Sequence, residues 1–186
     1  GVFIHNCHPR DAIAMSWLAN NLDLSSDPFE AVMMSREAHV EWLVGLICKE
    51  SKKHQLPIVV LGKSFKADSA IVAGSYAILL ANILMSWGVE FIQHDPLVDG
   101  SMPWGEAVNG PCTVFVATKH KVFADYKFAP GSVILDPHHF IKPQEGVELI
   151  RIGEGKRRDG DSADGLRGVV GEAGRLRGTV RAHGRG

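Results

Sequence analysis

The sequence predicts an α/β fold: a small doubly wound parallel sheet preceded by a helical segment with one long connecting helix. Short apolar runs such as Pro57–Gly62 and Cys112–Thr118 have the length of strands buried on both faces. These runs alternate with helical stretches and Gly/Pro turns, the strand–crossover–strand rhythm of a parallel sheet. Ahead of them, the chain carries no helix-ending signal from Pro28 to about Lys53.

Asp11–Leu22 reads as a first helix, with Ile13, Met15, Leu18, Ala19 and Leu22 roughly on one side. The next start signal is strong. Asp27 is suited to cap, Pro28 to the first helical position, and Glu30 stands three residues after the cap. The helix it opens runs to about Lys53, roughly 39 Å at the helical rise. Phe29, Val32, Met33, Val40, Leu43, Val44 and Ile47 form its apolar stripe, and Arg36 interrupts it. Such a length exceeds what one small domain needs to cover, so the helix is expected to be a spacer between domains, a dimer surface, or both.

Pro57–Gly62 is the first strand, and Ser75–Trp87 a helix with Gly88 placed to stop it in a left-handed cap. Glu90–His94 is the second strand, Cys112–Thr118 the third and Ser132–Asp136 the fourth, with Val147–Ile152 a fifth at an edge. Short helices are expected at Trp104–Val108 and Lys121–Tyr126. Ligands of such sheets sit beyond the carboxyl ends of the strands, which here carry Gly62-Lys63, Asp95, Thr118 and Asp136-Pro137-His138-His139. The expected organisation is a helical segment at 1–55, a sheet domain at 56–153 and a Gly/Arg-rich tail at 154–186. The tail has no aromatic residue and too little apolar surface to offset chain entropy, so it is expected to be disordered.

Composition excludes several function classes. A net charge of −1 gives no electrostatic case for nucleic acid or an anionic membrane. No apolar run is long enough to span a bilayer. The three cysteines, Cys7, Cys48 and Cys112, are too widely and irregularly spaced for a disulfide framework or a zinc ribbon, which fits a reducing, cytoplasmic setting. A metal site built from His120, Asp136, His138 and His139 is disfavoured, because adjacent histidines in a loop rarely face one ion together.

Cys7 stands four residues before the expected helix start, beside His8 and Arg10. Positive charge and a helix N-terminus both lower a thiol pKa and make it a nucleophile. Asp11 can cap that helix or help position a water as general base. Cys48 and Cys112 fall within regular elements and read as packing residues.

Two motifs carry a resemblance. Cys7, Pro9, Arg10 and Asp11 match the pattern Gly-Gly-x-Cys-(Phe or Ile)-Pro-(Lys or Arg)-Asp, and Phe65-Lys66 matches a Phe-Lys pair in the turn after the first strand. In this order, around a long helix, they resemble the C-terminal half of the nucleotide-sugar 6-dehydrogenases that oxidise UDP-glucose, UDP-N-acetylhexosamines or GDP-mannose. His94-Asp95-Pro96 stands where that family has Tyr-Asp-Pro, and Asp136-Pro137-His138-His139 where it has an Asp-x-Arg segment. The chain departs from the pattern at Ile4-His5, in place of the glycine pair, at His8, and at Ala73, which takes the place of an arginine reaching the cofactor.

The resemblance implies a Rossmann-like nucleotide-sugar-binding domain and an NAD-dependent oxidation of the sugar C6 alcohol to a carboxylate through a cysteine thiohemiacetal. It implies Cys7 as nucleophile and Asp11 as the residue assisting proton transfer. Phe65, Lys66 and His139 would be on the substrate side, with a UDP-sugar the expected substrate. Gly62 is not followed by the further glycines of a dinucleotide fingerprint. NAD would therefore be bound mainly by an N-terminal domain missing from this chain, and the chain alone would be inactive. A homodimer through the long helix is expected. The alternative is a non-catalytic nucleotide-sugar-binding or assembly module of the same fold, favoured by the missing glycine pair and Ala73.

Overall fold

The computed structural model describes residues 7–100 and 109–154, with side-chain surroundings from Arg10 onward. The helix expected at Trp104–Val108 and the disorder expected after residue 154 lie outside the described residues.

Helix α1, Cys7–Asn21, begins four residues earlier than the apolar pattern suggested. Pro9 falls in its first turn, where a missing N–H costs nothing, so the proline does not delay the start. Helix α2, Pro28–His54, starts as its signal indicated: the Asp27 side chain accepts the amides of Phe29 (2.9 Å) and Glu30 (3.0 Å). It ends at Gln55, whose φ of 55° makes a left-handed cap. Helices α1 and α2 pack together as an αα-hairpin, tied where the Ser16 hydroxyl bonds the Asp27 carboxylate.

The apolar pattern of this hairpin is only partly buried. Ala12 and Ala19 are the buried positions of α1, whereas Ile13, Met15, Leu18 and Leu22 face outward. On α2 the stripe is buried in the second half alone, at Val40, Leu43, Val44 and Ile47, while Val32 is exposed.

The sheet consists of β1 (Ile58–Leu61), β2 (Phe91–His94), β3 (Thr113–Val116), β4 (Val133–Asp136) and β5 (Glu148–Arg151). All pairings are parallel and the order is β2-β1-β3-β4-β5, with β5 at the expected edge. Helix α3, Tyr76–Ser86, crosses from β1 to β2; Ser75 caps its start and Gly88, at φ 68°, follows its end. A short 3-10 turn occupies Lys121–Asp125. This is the α/β architecture that the alternation of runs predicted.

Side chains alternate along each strand and so supply two cores. Ile58 and Val60 of β1, Phe115 of β3 and Leu135 of β4 pack under α2 and α3, against Leu43, Ile47, Leu80 and Leu84. Val59, Leu61, Val114, Val116 and Ile134 face the other way, onto Phe123, Phe128 and Ile141. Full burial of each such side chain stabilises by about 1.5–3 kcal/mol. The C-terminal half of α2 is therefore an integral layer of the sheet domain.

Candidate functional site

Strand order reverses between β1 and β3, so their carboxyl ends open the crevice at which doubly wound sheets hold ligands. The chain leaves β1 through Gly62 at φ +103°, and a Cβ there would lie 2.5 Å from the Thr118 side chain. Only glycine permits both this conformation and this approach. Thr118 Oγ1 then donates to the Ser64 carbonyl at 2.8 Å, joining the exits of the two strands.

The turn Lys63–Asp68 is fastened at both ends. At its start, Asp95 Oδ2 accepts the N–H of Lys63 (2.7 Å), the N–H of Ser64 (3.0 Å) and the Ser64 hydroxyl (2.9 Å). His120 brings Nε2 to the same oxygen at 3.1 Å. At the end of the turn, the Asp68 N–H donates to His120 Nδ1 at 2.9 Å. An accepting Nδ1 carries no proton, so Nε2 is the protonated nitrogen and donates to Asp95. Asp68, itself at φ 53°, accepts the Lys121 amide and pairs with its ammonium at 3.4 Å. Between the anchors, Phe65 N–H bonds the Ile71 carbonyl at 2.7 Å. Phe65 is half-buried and Lys66 is exposed at the tip.

Asp95 and His120 are both fully buried. Burial pushes the Asp95 carboxyl up, but its bonds from His120, Lys63, Ser64 and Leu97 together outweigh burial and hold it well below the usual carboxylate range. His94, buried at the end of β2, lies 2.9 Å from the Tyr126 hydroxyl. Burial pushes its pKa down against the opposing pull of Asp99 and Asp95. Burial also raises the Tyr126 hydroxyl, and the Asp95 charge adds to that. The Cys48 and Cys112 thiols are likewise raised by burial, which makes both poor nucleophiles.

The expected site residues fall on three segments. Cys7 is the first residue of α1, at the helix N-terminus; its side chain lies outside the described residues. Asp11 is exposed one turn later. Phe65 and Lys66 share the β1 turn. His139, at φ 54°, follows β4 and donates from Nε2 to the Ile152 carbonyl at 2.7 Å, which ties it to the β5 edge. Asp136, buried like Asp95, accepts the amides of His138, Phe140 and Ile141. Among the described residues, no set of three or more His, Cys, Asp or Glu is placed to hold a metal ion.

His120 and Ser64 were not legible as turn anchors, because their side-chain partners lie 25 to 52 residues away along the chain. The nearest sequence signal was a histidine two residues past the end of a strand run. The β1 turn also answers where NAD could sit. In a dinucleotide turn, amides after the first strand face the pyrophosphate; here those of Lys63 and Ser64 are bonded to Asp95. NAD does not fit this turn.

No protein-family model matches the sequence, and no curated protein matches it. Solved structures do. GDP-mannose dehydrogenase from Pseudomonas aeruginosa aligns at a TM-score of 0.59 and 20% identity over 80% of this chain. UDP-glucose dehydrogenase from Pyrobaculum islandicum aligns at 0.59 and 20% over 78%. UDP-D-ManNAc dehydrogenase from Pyrococcus horikoshii aligns at 0.52 and 24% over 63%. The chain shares the fold of these dehydrogenases. It spans 39%, 36% and 30% of their respective lengths. Similarity of fold at this identity leaves substrate and chemistry to be argued from the residues.

Proposed function

We propose that this chain is part of a nucleotide-sugar 6-dehydrogenase, with a nucleotide-sugar site at the β1 turn and a cysteine nucleophile at the start of α1. The observation that carries the reading is the turn itself. At the switch between β1 and β3, the backbone is fixed from both sides and presents an exposed lysine at its tip. An ammonium held there is suited to donate to a phosphate or to sugar hydroxyls. Phe65 offers an apolar surface beside it. The shared fold with two UDP-sugar dehydrogenases and a GDP-mannose dehydrogenase supports the same reading.

In this proposal a UDP-sugar is the substrate. Cys7 adds as thiolate to the C6 aldehyde, with the helix N-terminus favouring its charged form. Asp11, one turn on, orients the water that releases the acid. His139 is proposed on the substrate side only as a neighbour of the β4 exit, since its Nε2 is engaged by Ile152. When bound, at a site other than the β1 turn, NAD would supply the oxidant twice, once for the C6 alcohol and once for the thiohemiacetal on Cys7 before the water acts. The outward apolar side chains of the hairpin, including Trp17 and Met34, support a homodimer through α1 and α2. No described helix is long and apolar enough to cross a membrane.

Alkylation of Cys7 tests this reading. Iodoacetamide should modify Cys7 faster than free cysteine at neutral pH, and UDP-glucose should slow it, with Cys48 and Cys112 as slow internal controls. Ordinary Cys7 reactivity that nucleotide sugars leave unchanged would support the non-catalytic module instead.

A further inference from the structure

We infer that His120, acting with Asp95, is a positioning residue that holds the Phe65–Lys66 tip in its ligand-binding shape; the inference rests on the nucleotide-sugar reading of that turn. Three chain segments converge on this imidazole: the exit of β2 through Asp95, the end of the turn through Asp68, and its own β3 exit. Both ring nitrogens are spent on this convergence, one as donor and one as acceptor. The ring is fully buried, packed edge-on against Phe123 at 5.2 Å between centroids. Because Asp95 Oδ2 also receives Lys63 and Ser64, a single path of hydrogen bonds runs from the start of the turn to its end through the side chains of Asp95 and His120.

Lys66 stands between those anchors, two residues after Ser64 and two before Asp68. An exposed lysine turn without such a path would lose its conformational freedom only on binding, at a cost in affinity. With it, the ordering is completed during folding. The ring touches none of the proposed ligand atoms; its effect reaches them through the turn.

Glutamine is the conservative replacement, because its amide O and N flank one carbon as the two ring nitrogens do, one accepting and one donating. His120→Leu keeps an apolar body and removes both bonds. UDP-glucose and GDP-mannose are titrated into the full chain and both variants, and amide hydrogen exchange is followed at Lys66, Ala67 and Asp68. The expected result for His120→Leu is binding of UDP-glucose roughly tenfold weaker, the factor expected when a net hydrogen-bond contribution is lost. Exchange at Ala67 and Asp68 should be faster, and His120→Gln should restore both readouts. If His120→Leu does not fold, Ser64→Ala loosens the other anchor and should weaken binding several-fold. Wild-type binding that survives either folded variant unchanged, with unchanged exchange, overturns the positioning role and leaves the site reading intact. A wild-type chain that binds neither nucleotide sugar overturns the site reading itself, and the positioning role with it.

Discussion

The Asp95 carboxylate and the His120 imidazole meet at 3.1 Å although they leave different strands, β2 and β3, that lie on either side of β1. Their contact closes over the end of β1 and clamps the turn that follows it. This one pair joins the fold to the candidate site, because the same atoms that finish the sheet define the shape of the loop.

Asp95→Ala should destabilise the chain by about 3 kcal/mol or more, since it strands buried donors from Lys63, Ser64 and His120 together. Asp95→Asn should recover only part of that, because its amide accepts on one side alone. Urea unfolding of both variants checks the order. A loss below 1 kcal/mol for the alanine variant would mean that water replaces the carboxylate.

Acid should weaken the fold in two stages. The His94 pKa is lowered by burial, so its contribution is complete above its unfolded value of about 6.5 and fades as pH falls below it. The Asp95 pKa is also lowered, so its contribution is complete above about 3.9 and is lost as pH falls further. Unfolding midpoints should hold from pH 8 to about 6.5, decline below it, and decline again below about 3.9, and His94→Gln should flatten the upper stage. A stability that rises on acidification would contradict both assignments.

Gly62→Ala should cost about 2 kcal/mol or more, combining the left-handed backbone with a clash against Thr118. Gly88→Ala, with nothing within 4 Å of its Cβ, tests the backbone contribution alone and should cost about 1 kcal/mol. Equal losses at the two positions, read from thermal unfolding, would remove the steric part of the argument.

Much of the fold was legible because its signals are local. Asp27-Pro28, the apolar runs of β1, β3 and β4, and Gly88 each act within a few residues, and the elements follow them. The apolar pattern placed the start of α1 at Asp11, four residues late, because the first turn from Cys7 to Arg10 carries no apolar periodicity to mark it. The periodic face of Ile13, Met15, Leu18 and Leu22 was correctly seen as apolar, but a period does not say what covers it, and in this chain those side chains face outward. Phe65-Lys66 could be singled out by resemblance. Asp95 was marked by its place at the end of a strand run, but its bonds to Lys63, Ser64 and His120 were not legible, because hydrogen bonds between strand exits depend on sheet order, which no short motif encodes.

Incubation of the purified chain with UDP-glucose and NAD should form no NADH above the background rate. The turn that would receive a dinucleotide is filled by Asp95 bonding to the Lys63 and Ser64 amides. Absorbance at the reduced-nicotinamide band checks this, and sustained substrate-dependent formation would show that the chain holds an oxidant site.

The most direct measurement is a calorimetric titration of UDP-glucose into the chain and its Lys66→Ala variant. Saturable binding by the wild type, weakened about tenfold or more when the ammonium is removed at unchanged fold stability, is the predicted result. Equal affinity in both proteins, or none in the wild type, would contradict a nucleotide-sugar site at this turn.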